Sequence, residues 1–224
     1  GGTIGGMARP LIGITMDVGH KPDRYSLWHA YTTSVEKAGG MPVLLPYMSQ
    51  GDLVGEMLDR LDGVLFTGGD DLDPALFGQQ RHPKAEPLDL NREKFELGLV
   101  AEVERRRMPA LFICLGCQVL NVHRGGSLHQ FVPDVERAEP IEHRKIGELI
   151  PRHPVRLEPG SMLARALGKT EVVANTYHKQ AIDRVGRGLV VTGRAADGIV
   201  EVVEDPSFEL MLGVQWHPER LHEE

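Results

Sequence analysis

What this chain has little of narrows it first. Its two cysteines permit at most one disulfide, and Cys114 and Cys117 stand only three positions apart. Cationic side chains are not in excess: 25 Lys and Arg against 32 Asp and Glu leave a formal net charge of −7. Binding a nucleic-acid backbone needs a clustered surplus of Lys and Arg, so nucleic acid is excluded as the main partner. No apolar run approaches the roughly 18 residues of a membrane span, so no membrane partner is expected. The opening GGTIGGMARP lacks a basic segment followed by an apolar core and does not read as a signal peptide. Residues 1–8 are expected to be a flexible tail or cloning remnant ahead of one domain over 9–224, with the cytoplasm as the default location.

What remains is ordinary for a globular protein. The chain is 41% hydrophobic and 25% charged, and its 224 residues suffice to bury a sizeable core. RPLIGIT (9–15), MPVLLP (41–46) and GVLFTGGDD (63–71) read as strands, the last running into a glycine turn. SLWHAYTTSVEKAGG (26–40), GDLVGEMLDRLDG (51–63) and NREKFELGLVAEVERRR (91–107) read as helices. That alternation predicts an α/β fold, a doubly wound, mostly parallel sheet with helices on both faces. After about residue 127 the pattern changes to short strands and tight turns, a small mixed or antiparallel extension. FELMLGVQWHPE (208–219) then returns to a strand.

The most informative stretch is MPALFICLGCQVLNVHRGG (108–126), where an apolar run ends at Cys114 and a helical pattern begins. In doubly wound sheets ligands gather where strands turn into helices. A nucleophile on such a sharp turn is lifted clear of the backbone, and the following helix N-terminus favours its thiolate. Gly116 and the backbone N–H of Leu115 leave room for an oxyanion. The same spacing, C-x-x-C, also admits a redox pair, half of a zinc site completed by histidines, or a buried structural cysteine. VQWHPE favours the nucleophile. His217 and Glu219 lie two apart, on the same side of an extended strand that Pro218 keeps out of a helix. A carboxylate so placed can fix the imidazole's tautomer while the imidazole takes a thiol proton.

ICLGCQ together with GVQWHPE resembles a class I glutamine amidotransferase domain. GVLFTGGDDLDPALFG, NREKFELGLV and NTYHKQAI resemble one branch of that superfamily, the γ-glutamyl-γ-aminobutyrate hydrolases or C26 cysteine peptidases. The resemblance spans Arg9 to Glu219 and implies the flavodoxin-like fold of that superfamily. It implies Cys114 as nucleophile, His217 as general base and acid, and Glu219 as the group orienting His217. Leu115 N–H and a second N–H from the TGG turn, Gly69, are expected to form the oxyanion hole. Gln118 is expected to hold the glutamyl portion, with Asn175, Tyr177 and His178 lining the same pocket. The implied reaction releases glutamate and a free amine from a small γ-glutamyl amide through a thioester, with no metal and no cofactor. Two departures stand out. Phe112 occupies a position usually small and is expected to crowd the turn or reshape the pocket. Leu115, where the hydrolase branch often has Arg, resembles the biosynthetic amidotransferases. The alternative is therefore a glutaminase subunit delivering ammonia to a separate synthase partner. A homodimer is also compatible with a small stand-alone enzyme.

Other clusters invite less. TGGDD lacks the Lys and the spacing of a phosphate-binding loop. Asp70, Asp71 and Asp73 lack the remaining ligands of a calcium loop and read as a solvated acidic turn. His82, His143 and His153 are expected in loops, exposed to solvent.

Overall fold

The computed structural model describes residues 8–18, 24–48 and 51–221. All but the last residue of the expected tail lies outside these. Nine strands form one sheet: β1 Leu11–Thr15, β2 Met41–Leu45, β3 Gly63–Phe66, β4 Ala110–Ile113, β5 Arg152–Leu157, β6 Glu171–Asn175, β7 Val190–Ala195, β8 Val200–Glu204 and β9 Met211–Val214. Their order across the sheet is β2-β1-β3-β4-β9-β8-β7-β5-β6. The first five of that order pair in parallel, and every pairing from β9 onward is antiparallel. The fold class is as expected, but the antiparallel part comprises four strands beyond β9 and continues the same sheet. β9, nearly last in sequence, is inserted at its centre beside β4.

Helices cover both faces. α2 (Gly51–Leu58), α3 (Leu90–Arg106) and α4 (Leu115–His123) pack into one apolar cluster with Phe66, Phe112 and Val203. α1 (His29–Lys37) and α5 (Met162–Leu167) bury Tyr31, Val35 and Leu163 on the opposite face with Ile14, Ile113 and Trp216. α3 begins where Asp89 accepts the N–H groups of Asn91 and Arg92, each at 3.0 Å, and ends with Arg105 and Arg106 in its last turn. Such caps satisfy the orphan donors and complement the helix dipole. Phe112 does not crowd the turn. It is fully buried and stacks on Phe66, ring centroids 4.4 Å apart, because odd and even residues of β4 face opposite sides of the sheet. Among the described residues no helix is long and apolar enough to cross a membrane.

Candidate active site

Three neighbouring parallel strands end at one place. β3 runs into Thr67, Gly68 and Gly69, β4 into Cys114, and β9 into Gln215, Trp216 and His217. Their carboxyl ends open on a cleft of about 880 Å³ whose wall includes Gly68, Gly69, Cys114, Gln118, Tyr177, His178 and His217. Cys114 sits at the tip of the β4–α4 turn with φ 51° and ψ −104°. That is a strained conformation for a residue with a Cβ. The turn is held by Cys114 N–H donating to Val214 O at 2.8 Å and by Gly116 N–H donating to Thr67 O at 3.2 Å. The thiol is 6% exposed and accepts from Gln215 Nε2 at 3.7 Å.

His217 Nδ1 lies 2.7 Å from Glu219 Oε1, and both side chains are buried. A carboxylate only accepts, so the ring proton sits on Nδ1 and Nε2 remains for chemistry. Burial pulls the His217 pKa down, but charge and hydrogen bonding from Cys114 and Glu219 outweigh it and hold it at about 9. The pair is not on an extended strand, however. β9 ends at Val214, and Pro218 opens a short 3-10 turn over Pro218–Arg220. Proline's fixed φ suits the first position of such a turn, which curls Glu219 back under the ring.

The NTYH stretch arrives from β6, at the far edge of the sheet, because the antiparallel half folds back over the end of β9. Asn175 does not line the cleft. Its Nδ2 donates to His217 O at 3.0 Å and its Oδ1 accepts His217 N–H at 3.1 Å, clamping the backbone of His217. Tyr177 stacks on the His217 ring, centroids 4.1 Å apart and planes 11° from parallel. Arg220 lies over the Tyr177 ring, its Cζ 4.9 Å from the centroid. His178 reaches the cleft wall while its Nδ1 donates to Gln180 O at 2.8 Å. Gln118 Nε2 donates to Gln180 O at 3.1 Å and to Gln215 Oε1 at 3.2 Å, tying the cleft wall to the Cys114 neighbourhood.

The Gly69 backbone lies against the Leu115 side chain. A Cβ on Gly69 would stand 2.7 Å from Leu115 Cδ2 and 2.5 Å from Arg92 Nη1, so a larger residue there would have to displace both side chains. At Gly68 a Cβ would meet His217 Cε1 at 2.7 Å. Sequence reasoning missed what holds this loop. Arg92, fully buried, donates to Thr67 Oγ1 at 3.0 Å, Gly68 O at 2.9 Å, Asp17 Oδ1 at 2.7 Å and Glu96 Oε1 at 2.9 Å. Its only signal was an Arg and a Glu four apart, a pattern that ordinarily marks a solvated helix face. Tyr31 was missed too: its hydroxyl accepts Gly68 N–H at 2.9 Å, and burial, with Glu219 nearby, pushes its pKa well up.

Other expectations need correction. Asp71 is not solvated: it is 5% exposed, accepts Glu86 N–H at 2.7 Å and pairs with Lys179 at 3.1 Å. Asp73 is partly exposed and caps a 3-10 turn, accepting Ala75 N–H at 3.1 Å. His82 does lie in a loop, half-buried against Phe131 and 3.0 Å from Asp134. His143 and His153 are not solvated. They are 1% and 3% exposed, and His153 is part of β5. Both face Glu201, a fully buried acid of β8. Cys117 is also buried; burial raises its pKa far above the ordinary thiol range, leaving it unreactive beside Cys114.

A thiol on a strained turn, beside an imidazole held by a carboxylate, is the arrangement that acyl transfer through a thioester requires. The comparisons agree with that setting. The sequence profile of Peptidase C26 matches residues 10–219. "Putative glutamine amidotransferase Rv2859c" of Mycobacterium tuberculosis is 39% identical over 224 residues, covering 96% of this chain and 71% of that protein. Gamma-glutamyl-gamma-aminobutyrate hydrolase PuuD of Escherichia coli K12 is 34% identical over 227 residues, covering 95% and 87%. The crystal structure of a glutamine amidotransferase from Thermotoga maritima superposes with a TM-score of 0.62 at 16% identity, covering 95% of this chain and 77% of that one, which speaks for the fold. The chain belongs to the Peptidase C26 family, with the fold of the class I glutamine amidotransferases.

Proposed function

We propose that this chain is a cysteine-dependent hydrolase that cleaves the γ-glutamyl amide of small γ-glutamyl-amines to glutamate and a free amine. The observation that carries the reading is the strained Cys114 turn facing the buried His217–Glu219 pair in one cleft. Family membership and the 34% identity to a γ-glutamyl-γ-aminobutyrate hydrolase support the substrate class.

In this mechanism the Cys114 thiolate attacks the γ-carbonyl carbon, and the carbonyl electron pair moves onto oxygen. Leu115 N–H and Gly69 N–H stabilise that oxyanion, being most useful where the charge develops. His217 Nε2–H protonates the leaving nitrogen, the C–N bond breaks and a thioester remains. His217 Nε2 then takes a proton from water, whose oxygen attacks the thioester; collapse returns the thiolate and releases glutamate. Glu219 keeps the proton on Nδ1 throughout, and Tyr177 and Asn175 hold the ring plane and its backbone. Gln118 is assigned to the glutamyl end of the cleft and His178 to its wall.

A second reading, a glutaminase subunit serving a separate synthase, draws on Leu115 beside the nucleophile and on the naming of the Mycobacterium relative. The two readings separate in one assay, glutamate release by the isolated chain from γ-glutamyl-amines and from glutamine, with Cys114→Ser as control. Turnover of γ-glutamyl-amines abolished in the variant supports the hydrolase. Turnover of glutamine alone replaces it with the second reading, and no turnover of any amide by the isolated chain refutes the hydrolase.

A further inference from the structure

Beneath the cleft wall, outside the machinery assigned above to the chemistry, three imidazoles converge on one carboxylate. His143 Nδ1, His153 Nε2 and His178 Nε2 lie 3.4, 3.4 and 3.5 Å from Glu201 Oε1, and all four side chains are at most 3% exposed. Among the described residues, these nitrogens and both Glu201 oxygens make no hydrogen bond of acceptable geometry. The opposite nitrogen of each ring is already committed. His178 Nδ1 meets Gln180 O at 2.8 Å, His153 Nδ1 meets Pro154 O at 3.2 Å, and His143 Nε2 meets the Asp197 carboxylate at 3.0 Å. Those partners only accept, so each ring carries its proton there.

The two limiting metal-free proton states are both poor, and every intermediate one still aims at least one nitrogen lone pair at the carboxylate. Neutral rings would aim three nitrogen lone pairs at an anionic oxygen. Fully charged rings would bury three cations against one Glu201 carboxylate, at a large desolvation cost even with Asp197 beside His143. A divalent cation removes the conflict, since three neutral imidazoles and one carboxylate are all lone-pair donors toward it. The spacing from each ring nitrogen to the carboxylate also fits. Ligands about 2.0–2.1 Å from a tetrahedral ion stand about 3.3–3.4 Å from one another. Donor atoms of His143, His178 and Glu201 all lie within 4.8 Å of one another, while His153 stands outside that group and meets it at Glu201 Oε1, 3.4 Å away. Rings oriented through their second nitrogen by a carbonyl or carboxylate are what a ligand set needs around it.

We propose that His143, His153, His178 and Glu201 form a closed site for a divalent transition-metal ion, zinc by the preference of imidazole and carboxylate donors. The site is structural. It joins the loop at His143, β5 and β8 to the segment that carries Tyr177 against His217 and Gln180 against Gln118. Metal content is thereby linked to the order of the cleft wall, whatever amide the cleft takes.

The test uses the full untagged chain, stripped with a chelator and dialysed. Zinc is titrated in competition with a chromogenic chelator, and cobalt is followed by its absorption spectrum. One equivalent of zinc is expected, retained in Cys114→Ser and lost in His143→Gln, with a thermal midpoint that rises on zinc addition to the wild type. The cobalt form should show the intense visible bands of a four-coordinate ion without the near-ultraviolet thiolate charge-transfer band. No zinc uptake at micromolar free ion overturns the proposal, as does metal lost in Cys114→Ser but kept in His143→Gln. Because removing a buried imidazole can unfold the chain, the wild-type cobalt spectrum decides independently: a thiolate band, or the weak bands of a six-coordinate ion, refutes the site.

Discussion

The strain at Cys114 can be measured by replacing it with alanine and with glycine. Both variants lose the thiol and its contact with Gln215, so their difference isolates the backbone at φ 51° and ψ −104°. Holding a residue with a Cβ in such a region costs about 1–3 kcal/mol, which glycine does not incur. Against this, glycine gains unfolded-state freedom worth about 0.4–1 kcal/mol. Removing the Cβ at a site 6% exposed loses a further buried carbon, about 0.8 kcal/mol. At a relaxed buried position the Ala-to-Gly step would therefore destabilise by about 1.5 kcal/mol. At this turn the relieved strain offsets it, and the glycine variant should match the alanine variant or exceed it by about 0.5 kcal/mol. Equilibrium urea unfolding of the two proteins reads the difference directly, provided their m-values agree. A glycine variant weaker by the full relaxed-site penalty would show that the turn stores no strain, and the account of how the sulfur is presented would fail.

Four other expectations follow from the same geometry. Glu219→Gln removes the anion that fixes the His217 tautomer and should lower kcat by about 10²–10⁴-fold in glutamate-release assays, while a change of a few-fold would remove Glu219 from the mechanism. The His217 pKa is raised from 6.5 to about 9 in the folded chain, so the stability it contributes is complete below about pH 6.5 and lost as pH rises through about 9. Urea midpoints of the wild type should fall across that window and those of His217→Asn should not; parallel profiles would show that the imidazolium is not stabilised by Cys114 and Glu219. Arg92→Ala leaves Glu96, which is fully buried, without its cation and should cost about 3–5 kcal/mol of unfolding free energy, a loss below about 1 kcal/mol being incompatible with the burial of the pair. Tyr177→Phe preserves the stack on His217 and should keep kcat/KM nearly unchanged, whereas Tyr177→Ala should lower it by about 2–10-fold; equal effects would show that stacking is not what Tyr177 contributes.

The first half of the fold was legible in the chain because each strand and helix there is specified locally. Apolar runs end in Gly, Pro or Asp, and β1, β3 and β4 pair in parallel as alternating strands and helices demand. Cys114 was legible for the same reason, since an apolar strand breaking into a helix is a pattern within a dozen residues. His217 and Glu219 were found through their spacing, but the mechanism of their approach was misjudged. Pro218 was read as keeping the segment extended, and it starts a turn instead.

What the sequence by itself determined is therefore the class of fold, the turn at Cys114 and the pairing of His217 with Glu219. Tertiary structure alone decided how those residues are held. The insertion of β9 beside β4 brings Gln215 and His217 to Cys114 across some hundred residues of chain. The folding back of the antiparallel half turns Asn175 from an expected pocket residue into a clamp on His217. It also gathers His143, His153 and His178 around Glu201, four groups that look like scattered polar residues in the sequence. Local patterns report hydrogen bonding and burial within a segment, and long-range pairing of side chains leaves no periodic trace. Burial of a polar group is settled by which distant element packs over it, and only the assembled sheet settles that.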